Sequence, residues 1–444
     1  MNSNKSLRTL IYIYLFTILL DAIFRKWVFP SYSAPIMMIK EVVAIIIFFA
    51  GSKFWNTFTF WEKGFLIVGF IAFLTTLLWG HQNLLIATYG CLPFFFGVTV
   101  SFIIYRALEY EDLMKIGKIL VYISIVNSIL IIIQFNLPVM HVLNYTGGSV
   151  EENVAEKTAS ELAGVFRPSG IFMHPAHNGP FIFISYLFTL YFLFINNKVV
   201  NRVVLIAAFI LTSIAVFCSC SRSTVFYFIG GSVYFLIFCI RSRIWNKKVF
   251  ITLVCLIPIV FLFFTSSLGK QAVENMNERF EIASETQYLG QSTTQGTLSD
   301  IAYRMVIYHV NAIIDPHTLD GDEVPFWGYG QGLSTQVGGR IADVQKHAGF
   351  MLAEFDGLRI ICESGQILGI FIIFFRIGYP IRFLGYVIGS VGRHRYLSLI
   401  TYPSFFLFFW LTSNWGNITV ANFAFFIAGL FMVCKKVESR KHGN

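Results

Sequence analysis

From Leu113 to Phe135 the chain reads LMKIGKILVYISIVNSILIIIQF, and its only charges are Lys115 and Lys118, near the start. About 20 apolar residues cross a hydrocarbon core of ~30 Å as a helix. A helix is required because lipid offers the backbone no hydrogen-bond partners. The same pattern recurs along the chain. Twelve spans are expected, at 8–24, 34–51, 63–80, 84–105, 113–135, 176–195, 202–219, 223–240, 249–267, 358–378, 395–413 and 416–434. The first is marginal and extends readily to Phe29. The 444 residues are 56% hydrophobic and only 13% charged, where soluble domains average about 25% charged. An all-α polytopic membrane protein is expected.

Between Leu268 and Leu358 the apolar pattern breaks, and almost nowhere else for long. The organisation follows from that. Residues 1–267 carry spans one to nine, with an outer loop at about 136–175. Residues 268–357 form a large, partly helical outer loop, 358–436 carry spans ten to twelve, and 437–444 are a short polar tail. The net charge of +9 does not point to nucleic acid, because most Lys and Arg fall in short clusters between apolar runs. With the N-terminus in the cytoplasm, Arg8, Arg106, Arg241, Arg376, Arg382 and Lys436 fall on the inner side, as the positive-inside rule asks. Both termini are then cytoplasmic, as in an inner membrane protein, and the large loop faces a periplasm or its equivalent. Lys5 and Arg8 before an apolar run resemble a signal peptide, but no small-residue cleavage site follows, so this is an uncleaved first span. The seven cysteines lie mostly within apolar runs and outline no disulfide framework.

Several residues are candidates for chemistry. Arg222 sits in a link of almost no length between two spans, where charge is costly unless it is paired or holds a ligand; the alternative is a snorkelling arginine. Arg167 and His174 belong to the Pro/Gly-rich RPSGIFMHP segment, where an arginine can hold a phosphate with two parallel bonds; the alternative is a structured turn with an exposed arginine. Arg304 and Tyr308 share one face of an expected amphipathic helix. The glycine alternation in Trp327-Gly328-Tyr329-Gly330-Gln331-Gly332 lacks the Lys-Ser/Thr of a phosphate loop, so a turn beneath the helix is the better reading. In 347–363, HAGFMLAEFDGLRIICE, a helix puts Asp356, Arg359 and Glu363 on one face running into span ten. Such residues point to a polar cavity in the bundle; the alternative is an ion-pair stripe that only orients the helix. No His/Cys/Asp cluster has transition-metal spacing, so no metal is expected.

Together these pieces resemble the bacterial O-antigen polymerase and O-antigen ligase superfamily. The landmarks run in chain order: Arg25-Lys26-Trp27-Val28-Phe29-Pro30, then RPSGIF with His174-Pro175, then Ser221-Arg222-Ser223, Tyr303-Arg304, Gly328-Tyr329-Gly330 and Glu363-Ser364-Gly365 to Gly369. The resemblance covers most of the chain. It implies a metal-independent, cofactor-free glycosyltransferase of GT-C type, acting at the outer face of the inner membrane. The substrates it implies are glycans linked to undecaprenyl diphosphate, as donor and acceptor. By the same resemblance Arg222 and Arg304 hold the diphosphate while an acceptor hydroxyl attacks the anomeric carbon with inversion.

One departure bears on the reading. Ligases place a histidine about nine residues before the glutamate that matches Glu363, and this chain has Glu354 there, with His347 seven residues earlier. A carboxylate can serve as base as an imidazole can. Glu354, then His347, are therefore the expected catalytic pair, and a polymerase is preferred over a ligase acting on lipid A core. Arg167, Arg359, Asp356, Glu363, His174 and Tyr308 join Arg222 and Arg304 as substrate-binding candidates. A chain-length regulator is a possible partner. The competing classes are a lipid-linked oligosaccharide flippase and a non-catalytic assembly protein.

Overall fold

The computed structural model describes residues 2–145, 166–196, 198–242, 261–285, 307–318, 321–335, 338, 356–390, 396–411 and 418–441. These residues are overwhelmingly helical, and their one β feature is an isolated bridge between His317 and Glu323. Helix α1 (Asn2–Ile23) continues through a π-helical turn, Phe24–Val28, which realises the extension expected for span one. Then follow α2 (Ser33–Ala50) and α3 (Phe60–Leu78). Helices α4 (Leu84–Cys91) and α5 (Val98–Ala107) are joined by a π-helical stretch, Leu92–Gly97. Helices α6 (Tyr110–Asn136), α7 (Pro175–Phe194), α8 (Arg202–Cys218) and α9 (Arg222–Arg241) complete the first part. The later elements are α10 (Ser267–Glu285), α11 (Tyr308–Ile314), α12 (Asp356–Ser364), α13 (Gln366–Arg382), α14 (Leu384–Ser390), α15 (Tyr396–Phe406) and α16 (Ile418–Lys441).

Eight helices among the described residues are long and apolar enough to cross a membrane, and two more, Arg202–Cys218 and Tyr396–Trp410, are apolar but shorter. The span expected at 249–267 lies mostly outside the described residues. Helices α7 and α16 form the buried centre: α16 packs along α5 and α15, and α7 along α6, α8, α9 and α15. The outer helices turn apolar stripes outward. On α3, Ile67, Phe70, Leu74 and Leu78 are exposed, and on α13, Ile367, Phe371 and Phe374 are. Stripes at helical spacing that face outward and are apolar suit a lipid solvent.

The bundle has two chemically different ends. At one, Arg8 pairs with Asp112 (3.3 Å), Arg106 with Glu62 (2.8 Å), and Lys436 and Arg440 with Glu109 (3.2 and 3.0 Å). These pairs gather the start of α1, the end of α16 and the helix ends between them. The opposite end carries the turn before α2, the segment ahead of α7, the α8–α9 link and the glycine-rich loop.

One expectation is overturned. The span expected as a single helix over 358–378 is two antiparallel helices, α12 and α13, hinged at Gly365. The two pack so closely that a Cβ on Gly369 would lie 2.9 Å from the Ile361 Cα. Asp356 reaches Arg376 at 2.8 Å, whereas 20 residues of one continuous helix would separate them by about 30 Å. The hinge needs glycine, since Gly365 has φ 77° and an added Cβ would sit 2.2 Å from the Phe326 carbonyl oxygen.

Candidate functional site

At the loop end, two segments far apart in sequence meet. The Lys26 ammonium, on the π turn after α1, donates to the Ser169 hydroxyl at 2.6 Å and is almost fully buried. The RPSGIF segment is fastened to α6 by side-chain amides. Gln134 Oε1 accepts from the Gly170 N–H at 2.8 Å, and Asn127 Oδ1 accepts from the Ile171 N–H at 2.9 Å. Asn127 Nδ2 in turn donates to Asn178 Oδ1 on α7 at 3.1 Å. The segment therefore has a fixed shape, and it delivers Arg167 and His174 to the same ledge as Lys26.

His174 caps α7, its Nδ1 accepting from the Ala176 N–H at 3.1 Å. An imidazole that accepts at Nδ1 carries its proton on Nε2. The ring is solvent-exposed, with protein packed densely around its base. Burial, with the nearby charges of Arg167 and Lys26, pushes its pKa down to about 4. His174 is therefore a neutral Nε2–H donor in a cationic setting. His177 lies one turn on, its ring 5.9 Å from that of His174.

Arg222 opens α9 after a link of three residues, Ser219 to Ser221. The turn is so tight that Cys220 adopts φ 47°, left-handed and uncommon for a side chain with a Cβ. Hydroxyls line it: Ser221 Oγ lies 3.2 Å from Ser223 Oγ and accepts from the Thr224 hydroxyl at 3.0 Å. Gly179 of α7 faces Thr224 and Tyr227 of α9, which sets Arg222 level with the His174–His177 turn.

The glycine-rich loop docks on the α12–α13 hinge. Gly328, Gly330 and Gly332 all take positive φ (76°, 108° and 95°), which explains the alternation. The Tyr329 N–H donates to the Cys362 carbonyl at 2.7 Å and the Gly330 N–H to that of Glu363 at 3.0 Å, satisfying carbonyls at the end of α12. The Gln331 N–H donates to the Thr76 hydroxyl at 2.9 Å, and Trp327 stacks on Trp79 of α3 at 4.8 Å. The loop is thus a clamp between α3 and α12, in keeping with a turn rather than a phosphate loop.

The structure distributes the described site residues over two places. Arg167, His174 and Arg222 are brought to the ledge. Asp356, Arg359 and Glu363 are all buried on α12. Asp356 pairs with Arg376 of α13, which also donates to the Phe409 and Trp410 carbonyls on the π-helical Leu407–Leu411. Glu363 Oε1 accepts from the Ser334 N–H at 2.7 Å and so holds the loop. Arg304, His347 and Glu354 lie outside the described residues, as does the Tyr308 side chain, although Tyr308 heads α11. The π-helical turn links the places, since Phe408 packs on Phe183 and Tyr227, one to two turns along from His177 and Arg222.

Sequence reasoning missed Lys26 as a site residue, although it lies in the quoted RKWVFP motif. It also took Arg376 for an inner-loop charge. Asn127, inside an apolar span, was a signal that went unused. Among the described residues no group of three or more His, Cys, Asp or Glu is placed to hold a metal ion. Compared with protein-family models, curated proteins and solved structures, the chain matches none of them.

Proposed function

We propose that the protein is a membrane glycosyltransferase that polymerises oligosaccharide repeat units carried on undecaprenyl diphosphate, at the outer face of a bacterial inner membrane. The observation that carries the reading is the ledge itself: Lys26, Arg167 and the neutral donor His174 held together at one end of the bundle, with Arg222 level with them. A diphosphate is the ligand such a ledge suits, because guanidinium groups bind it through paired hydrogen bonds. Charge grows on the leaving diphosphate as the glycosidic bond breaks, so fixed cations there lower the barrier. In this reading Arg304 joins Arg222, and Glu354, or as second choice His347, takes the proton from the acceptor hydroxyl that attacks the anomeric carbon with inversion. Lipid diphosphate leaves. A GT-C arrangement, cytoplasmic termini and a periplasmic large loop belong to the same proposal.

A second reading, a flippase for the lipid-linked glycan, is favoured by one observation: α12 reverses at Gly365 and carries a buried Asp356–Arg376 pair. Broken helices and intramembrane charges are marks of transporters. Deletion in the native host followed by glycan electrophoresis separates the readings. Polymerase loss leaves single capped repeats, ligase loss leaves long lipid-linked chains, and flippase loss leaves repeats on the cytoplasmic face. Within the polymerase reading, Arg222→Ala nearly abolishes chain extension with insertion unchanged, and Arg222→Lys rescues poorly for want of the bidentate fork. Normal chain length in Arg222→Ala would sink the assignment.

A further inference from the structure

A cluster of ionisable side chains away from the ledge plays no part in the proposed reaction. Asp21 of α1, Lys40 and Glu41 of α2, and Asn422 of α16 are all buried, Lys40 and Asn422 completely. Lys40 donates to Asp21 Oδ2 at 2.6 Å, and Arg25 reaches the same oxygen at 3.8 Å. Both cations thus lie against Asp21, with Lys40 also within electrostatic reach of Glu41. Glu41 is left with a different partner: Asn422 Nδ2 donates to its Oε1 at 2.5 Å.

The two remaining polar atoms of this pair, Glu41 Oε2 and Asn422 Oδ1, are both buried and, among the described residues, both without a hydrogen-bond partner. With an ionised carboxylate, each is an acceptor and neither can serve the other. One proton resolves both. A carboxylic acid and a primary amide are complementary: the amide N–H donates to the acid carbonyl, and the acid O–H donates to the amide carbonyl. The orphaned atoms are the two that such a ring still needs. An unpaired buried polar atom costs about 1–3 kcal/mol, and an unpaired buried charge costs more, so both penalties favour the neutral acid.

We propose that Glu41 is a proton-binding site: it is held as the neutral acid, closed into a cyclic acid–amide pair with Asn422 that clasps α2 to α16. The charged and titratable groups around it are Lys40 on its own helix, Asp21, Arg25 and Tyr14 from α1 and its π turn, and Tyr89 from α4. Tyr14 Oη is a third buried oxygen without a hydrogen-bond partner among the described residues. A carboxylate, an amide oxygen and a phenol could instead cage a hard cation such as sodium, and the experiment distinguishes the two. The inference is independent of the glycosyltransferase reading.

The test is infrared difference spectroscopy on the purified full chain in lipid nanodiscs at neutral pH. Wild type minus Glu41→Gln gives a protonated-carboxyl carbonyl band that shifts on exchange into heavy water. Gln keeps two amide hydrogen bonds to Asn422, so the fold survives. Should that variant fail to insert, Asn422→Leu against wild type carries the same information, because the acid band moves to higher frequency when the amide is lost. A carboxylate band in place of the acid band overturns the proposal. So does an acid band that is abolished by sodium chloride but not by the same concentration of choline chloride.

Discussion

At the scale of single residues the ledge is set by His174, because its protonation state fixes both a helix cap and a local charge. Its pKa in the fold is about 4, below the ordinary 6.5, with burial the largest cause and the Arg167 and Lys26 charges next. The unfolded chain therefore binds a proton between these values that the folded chain refuses. Stability from this group is intact above pH 6.5 and is lost as pH falls toward about 4. Protonation of Nδ1 also ends its acceptance from the Ala176 N–H. His174→Asn keeps the cap, since asparagine is among the best N-caps, and removes the titration. Thermal melts from pH 7 to pH 4 are expected to fall less steeply for this variant than for wild type. Parallel curves would mean that another group carries the dependence.

At the scale of elements, the α12–α13 hairpin is the part of the fold that hydropathy misreads. Spans such as 176–195 and 202–219 were legible to within about a residue, as Pro175–Phe194 and Arg202–Cys218, because lipid forces a helix wherever a run is apolar. From Ile360 to Phe375 the run is apolar except for Glu363-Ser364-Gly365-Gln366, an interruption too short for hydropathy to announce a reversal. Asp356 gave half of a signal, and its partner Arg376, 20 residues on, resembled a loop charge. The ledge was legible for the opposite reason: Arg167, His174 and Arg222 stand where spans begin, and their charges interrupt an apolar background. Arg376 lies about 15 Å along α13 from Gln366, near mid-span, and is paired on both sides by α12 and the Leu407–Leu411 turn. Removing one partner of a buried pair costs about 3–5 kcal/mol, whereas replacing both by apolar residues can be neutral. Asp356→Ala and Arg376→Ala are each expected to lower the melting temperature sharply, and Asp356→Leu/Arg376→Met to recover much of the loss. A double variant as unstable as the sum of the singles would show that the pair does not act as a unit.

At the scale of the molecule, the ion pairs at one end and the ledge and clamp at the other make the bundle chemically polar along the membrane normal. Glu109, Asp112, Arg8, Lys436 and Arg440 gather with the helix ends that bear both chain termini. The glycine-rich loop gathers with Thr76, His81 and the α12–α13 hinge at the opposite end. In the proposed orientation, the excess of Lys and Arg in the short loops turns the first end to the cytoplasm. Two exposed positions test this, Glu111 at the start of α6 and Asp322 in the loop region. Among the described residues the native cysteines are buried, apart from the half-buried Cys91, so their background labelling is low. In intact cells a membrane-impermeant maleimide should label Asp322→Cys, and label Glu111→Cys only after permeabilisation. The reverse result would invert the orientation and leave the bundle intact. Labelling of both positions from one side would overturn the two-ended bundle itself, and with it the placing of Lys26, Arg167 and Arg222 on the face where the proposed reaction would extend a lipid-linked glycan.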